Sequence, residues 1–122
     1  MATIKSYSDL QQSKKLAEIL PLESADMKWF FWKEEIDAPK TPTFGYSKTA
    51  AESYKDTEAV YLACWSLSAL LCVLPDYTLQ TNTDGTVFVV CESKKLMISD
   101  DYDNPVDACY TLILKLNELN LL

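Results

Sequence analysis

A chain of 122 residues with 48% hydrophobic and 24% charged residues, two glycines and five prolines has the composition of one globular domain, which excludes collagen-like, disordered and disulfide-framework classes. Histidine is absent and all 11 basic residues are lysine, so Ser-His and Cys-His catalysis is out of reach for a single chain, and the bidentate arginine contacts that read phosphate and guanine are missing. Eighteen acids against those lysines set a formal net charge of −7, a field that repels nucleic acid and anionic lipid alike.

The N-terminal stretch from Met1 to Tyr7 carries one lysine and no apolar run, which is unlike a secretory signal. Ser8 with Gln11 fits a capping box, and Leu10, Leu16, Ala17, Ile19 and Leu20 form a partial apolar stripe, predicting a helix from about Asp9 to Leu20. Met27 to Ile36 contains four consecutive aromatics and predicts a strand. Alternation sends Trp29 and Phe31 to one face and Phe30 and Trp32 to the other, so one pair enters the core and the second needs a loop, a partner chain or a ligand over it. Asp37 to Asp56, with Pro39, Pro42 and Gly45, reads as a long irregular loop with a short turn near Ala50 to Tyr54; Phe44, Tyr46 and Tyr54 are the groups able to pin it to the aromatic strand.

Ala59 to Leu74 is uncharged over 16 residues, shorter than the roughly 20 of a membrane span, and is expected as a buried helix closed by Pro75. Tyr77 to Thr81 and Thr86 to Cys91 flank Asn82-Thr83-Asp84-Gly85 and predict a hairpin. A second turn at Ser93-Lys94 leads to a third strand, Lys95 to Ser99, completing a meander with Val87, Val89 and Cys91 on one face. Asn104 is an N-cap, Pro105 suits the first helical position and Asp107 completes a capping box; the stripe Val106, Cys109, Tyr110, Ile113, Leu116 predicts the last helix. The fold class is therefore α+β: a single two-layer domain over residues 1–122, its three- or four-stranded antiparallel sheet packed against helices, with a C-terminal order α-β-β-β-α.

Ser13-Lys14-Lys15-Leu16-Ala17-Glu18-Ile19-Leu20-Pro21, Glu23-Ser24-Ala25-Asp26-Met27, Cys64-Trp65-Ser66-Leu67 through Leu74-Pro75, and Asn104-Pro105-Val106-Asp107-Ala108-Cys109 resemble a family of small uncharacterised proteins carried by prophages and mobile elements of gut anaerobic bacteria. The resemblance covers most of the chain apart from Ala38 to Tyr54. It implies a bacterial cytoplasmic setting and an accessory role in a mobile element, with no catalytic residues to carry over.

Cys64, Cys72, Cys91 and Cys109 are at least eight residues apart among apolar neighbours and read as reduced core side chains, not zinc ligands. Two glycines cannot build a nucleotide-binding loop. Asp101, Asp103 and Asp107 lack the glycine and terminal glutamate of a calcium loop, and a solvated turn with helix capping explains them without a metal. The α-β-β-β-α order also occurs in double-stranded-RNA-binding domains, but Asp76 to Leu122 carries eight acids and three lysines, the wrong sign for a phosphate-binding face. The expectation is a non-enzymatic interaction module without cofactor or metal, its partner a protein or a second copy, and its candidate surface Trp29, Phe30, Phe31, Trp32, Phe44 and Tyr46. An acidic counter-defence protein mimicking DNA is the alternative, and a carboxylate-based enzyme the least favoured.

Overall fold

The computed structural model describes residues 5–35, 40–92 and 97–122. Among these it has four α-helices and two three-stranded antiparallel sheets, an α+β architecture. The aromatic strand and the meander thus belong to separate sheets. The chain divides into two compact units, Asp9–Ser66 and a second made of Met1–Ser8 with Leu67–Leu122.

In the first unit, helix α1 (Leu10–Ile19) is capped one residue later than Ser8 and Gln11 suggest. Asp9 accepts from the Gln12 backbone N–H at 2.8 Å while the Gln12 side chain accepts from the Asp9 N–H at 3.1 Å. Ser8 and Gln11 have the same chemistry at the same spacing, so the local pattern leaves the register of the cap open by one residue. A single 3-10 turn, Leu22–Ser24, leads to strand β1 (Met27–Trp32), which is shorter than the predicted Met27 to Ile36 because Lys33–Glu35 coils into a second 3-10 turn; Ile36 lies outside the described residues.

β1 pairs along its whole length with β3 (Ala59–Cys64), from Met27 opposite Cys64 to Trp32 opposite Ala59. This overturns the expected helix over Ala59 to Leu74. The run divides into β3 and a short helix α3 (Leu67–Val73), with Trp65 and Ser66 between them. An uncharged run has no polar period to separate strand from helix, and six paired residues along β1 outweigh local propensity. The end of β3 is held by Asp26, whose carboxylate accepts from the Ser66 N–H at 2.9 Å and also from the Ser66 hydroxyl.

The expected irregular loop at 37–56 is also corrected where it is described. Residues 40–56 contain β2 (Thr43–Phe44), paired with Met27 and Lys28, and helix α2 (Lys48–Ser53), whose N-cap Ser47 accepts from Ala50. Residues 37–39 lie outside the described residues.

In the second unit, β4 (Tyr77–Thr81), β5 (Val87–Cys91) and β6 (Met97–Ile98) form the expected meander in the order β4-β5-β6. The turn between β4 and β5 is built as its residue types demand. Gly85 has φ +92°, and Asp84 accepts from the Thr86 N–H and hydroxyl at 3.0 and 2.6 Å. The predicted turn at Ser93-Lys94 and the predicted start of the third strand at Lys95 lie outside the described residues, and the strand ends at Ile98, one residue before the predicted Ser99.

Helix α4 (Pro105–Glu118) begins at Asn104 as expected and buries Val106, Ala108, Cys109, Leu112, Ile113 and Leu116. The Asn104 side chain accepts from the Asp107 N–H at 2.8 Å. The carboxylate of Asp107 accepts from the Asn104 side-chain amide at 2.9 Å and from Lys5 at 2.7 Å, so the reciprocal half of the cap is made to side chains. α4 packs on β5, which is why Val87, Val89 and Cys91 are buried.

Cys64, Cys91 and Cys109 are core side chains, but Cys72 is exposed on α3, contrary to expectation; α3 turns only Ala69 and Leu70 fully inward. Titration of the native protein with an aromatic disulfide reagent should therefore show one rapidly reacting thiol, lost in Cys72→Ser, with the other three reacting only on unfolding.

Candidate functional site

Of the six candidate residues, strand alternation buries two. Trp29 and Phe31 are 6% and 8% exposed. Trp29 Nε1 donates to Ser13 Oγ on α1 at 3.1 Å, and Phe31 lies under Lys40, whose ammonium is 4.7 Å from the ring centroid. Both are core and leave the candidate surface. Phe30 and Trp32, on the opposite face, are 38% and 42% exposed.

Phe44 and Tyr46 separate in the same way. Phe44 is opposite Met27 in the β1–β2 register, on the face of Trp29 and Phe31, yet stands open to solvent at the sheet margin. Gly45 follows with φ +92°, its N–H donating to the Asp26 carbonyl at 2.8 Å, and the positive φ breaks the side-chain alternation of the strand. Tyr46 is thereby returned to the outer face, where its ring lies 5.6 Å from Tyr61. Burial, Tyr61 and Glu52 all raise the pKa of the Tyr46 phenol, so it stays a neutral hydrogen-bonding group at any physiological pH.

Phe30, Trp32 and Tyr46 are accordingly joined by Tyr54 and Tyr61. Phe30 makes edge contacts with Trp32, Tyr54 and Tyr61 at centroid distances of 5.9, 4.9 and 6.0 Å, while Tyr54 and Tyr61 stack at 5.9 Å with 12° between planes. The Tyr61 hydroxyl accepts from the Ser47 N–H at 3.0 Å at the start of α2, and Lys28 Nζ sits 5.8 Å from the Tyr61 ring. Interlocked rings of this kind have few rotamers left to lose on binding. Beside them runs an open groove of about 330 Å³ lined by Lys28, Phe30, Ser47, Ala50, Tyr54 and Tyr61. The groove has largely aromatic walls, with one cation, Lys28, at its margin.

Tyr61 and Lys28 are the members of this surface that sequence reasoning misses. The uncharged run holding Tyr61 reads as a helix, and only its register opposite Phe30 brings it here. Its signal is the alternation of Tyr61 with Val60 and Leu62, which is invisible when both faces of a strand are apolar. Among the acids singled out, Asp101 accepts from the Asn82 amide at 3.0 Å, and Asp107 is held in the α4 cap. No group of three or more His, Cys, Asp or Glu able to hold a metal occurs among the described residues, and no helix there is long and apolar enough to cross a membrane. No family model, curated protein or solved structure matches the chain.

Proposed function

We propose that this chain is a non-enzymatic protein-interaction module, acting in the cytoplasm as an accessory protein of a phage or mobile element, and that its partner docks on the outer face of β1 and β3. The observation that carries this reading is the half-exposed pair Phe30 and Trp32, buttressed from below and beside by Tyr54, Tyr61 and Tyr46. An aromatic surface fixed in this way offers large contact area at small entropic cost, which is the usual character of a binding hot spot. Lys28 and the tyrosine hydroxyls give a polar rim to an otherwise acidic chain. The partner is a protein that presents an apolar side chain to the groove and a carboxylate to Lys28.

The test is quantitative cross-linking in producing cells with the native chain and Trp32→Ser, combined with light scattering of the purified proteins. The native chain should yield a discrete partner that the variant recovers at least about 10-fold less, with unchanged circular dichroism. Equal recovery of the same proteins by both, or recovery of none, counts against the reading. A dimer of the native chain that Trp32→Ser dissolves would replace the foreign partner with a second copy joined along the aromatic strand.

A further inference from the structure

On the aromatic face the balance of hydrogen-bonding groups lies with donors, and that balance selects the chemistry of what docks there. Lys28 Nζ and Trp32 Nε1 can donate but not accept, and among the described residues Lys28 makes no ion pair. The Tyr61 hydroxyl already accepts from the Ser47 N–H at 3.0 Å and the Ser47 hydroxyl from the Ala50 N–H at 3.2 Å, so each has a proton left to donate. The rest of the groove is ring and methyl surface from Phe30, Tyr54 and Ala50.

A surface of this kind has three ways of holding a peptide. An added strand needs the free N–H and C=O groups of a sheet edge, whereas this is the face of β1 and β3, which are paired to each other from Met27 to Trp32. A docked helix satisfies its own backbone and leaves the donors of the groove unanswered. A proline-rich segment has the complementary deficit: proline has no N–H, the carbonyls of polyproline II find no internal partner, and the compact rings pack on aromatic ones. We infer that the outer face of β1 and β3 binds a proline-rich segment in the polyproline II conformation, with an acidic residue beside Lys28. This rests on the docking face proposed above and gives its ligand a chemical class.

Length and charge agree with that ligand. Lys28, Phe30 and Trp32 alternate onto one face of β1 and span about 13 Å at the rise of a strand. Four residues of polyproline II, at about 3.1 Å each, cover the same distance. Prolines three residues apart lie on one side of such a helix, one against the half-exposed Trp32 and the next in the groove beside Phe30, Tyr54 and Tyr61. Charge complementarity is confined to the carboxylate that meets Lys28, because prolines are neutral and the net charge of −7 does not oppose them. A segment already extended before it binds also loses little entropy on docking against rings that are themselves interlocked.

The test is a nuclear magnetic resonance titration of the native chain with two capped peptides, one of six prolines and one with an aspartate ahead of the same six. A peptide in which glycine and alanine replace every proline is the control. Both proline peptides should give saturable shifts of the Trp32 indole N–H and of the Tyr61 ring, and the control none. Trp32→Ser should weaken both at least about 10-fold with unchanged circular dichroism. Lys28→Gln should weaken the aspartate peptide alone, by about 3-fold, and added salt should erase that difference. No saturable shift up to about 10 mM peptide, an equal response to the control, or binding indifferent to Trp32→Ser overturns the inference. Any of these results beside a partner captured in cells through Trp32 leaves the docking face standing with a different ligand, so the two readings fail separately.

Discussion

Replacing Trp65 by alanine should lower the stability of the chain by about 3–5 kcal/mol, the largest loss expected from any single side chain here. Trp65 is the largest fully buried residue, and it occupies the junction where β3 ends. Removing it leaves a cavity that a paired strand on one side and the 3-10 turn Leu22–Ser24 on the other cannot collapse to fill. It also removes a hydrogen bond, since Trp65 Nε1 donates to Ser24 Oγ at 2.9 Å while the Ser24 hydroxyl donates to the Pro21 carbonyl at 2.6 Å. A domain of this size is stable by only about 5–15 kcal/mol, so the variant should be partly unfolded at 37 °C. In urea its midpoint should fall by about 2 M with an unchanged slope. Trp65→Phe separates the two contributions by retaining most of the ring while losing the donor, and its cost should be less than half that of alanine. Equal costs for the two variants would assign the role of Trp65 to the hydrogen bond instead of the packing.

Alkaline pH should destabilise the fold in a way traceable to one thiol. Burial, with a smaller contribution from neighbouring Cys91, pushes the Cys109 thiol up to about 12, and burial together with Asp76 also raises that of Cys91. In the unfolded chain a thiol ionises near 8.5, so above that pH the unfolded state has released a proton that the folded state still holds. The stabilisation is complete below about pH 8.5 and is lost as pH rises toward the folded value, at about 1.4 kcal/mol per pH unit for Cys109. Between pH 8.5 and 10 the native chain should therefore lose about 2 kcal/mol more than Cys109→Ala, measured by urea unfolding under reducing conditions. Lysine and tyrosine titrations are common to both proteins and cancel in the difference. Identical pH slopes would show that Cys109 ionises in the folded chain as readily as in the unfolded one.

Elements whose signals are local are legible in the amino-acid sequence. The β4–β5 hairpin follows from Asn82, Asp84 and Gly85, the start of α4 from Asn104 and Pro105, and the alternation of Trp29, Phe30, Phe31 and Trp32 from strand geometry alone. Elements whose residue types satisfy two structures at once are not. Ala59 to Leu74 suits a buried strand as well as a buried helix, and the pairing of six residues with β1 decides the first part. Residues 43–54 show no sustained period, yet Ser47 caps a helix there and Tyr54 reaches Phe30 from its end. The candidate site suffers most from this ambiguity. Phe30 and Trp32 follow from alternation, but Tyr61 belongs to the run that reads equally well as helix, and the separation of Phe44 from Tyr46 depends on the positive φ at Gly45.

What the amino-acid sequence determined by itself is the chemical vocabulary: no imidazole, no guanidinium, a surplus of carboxylates, and rings grouped where a strand must divide them between two faces. Those are properties of residue type and nearest-neighbour geometry, and no folding event alters them. Which rings meet solvent and which cysteine stands outside were decided only by tertiary structure. Each depends on a contact between segments far apart in the chain, and the free energy of such a contact is a property of the pair and is carried by neither segment alone.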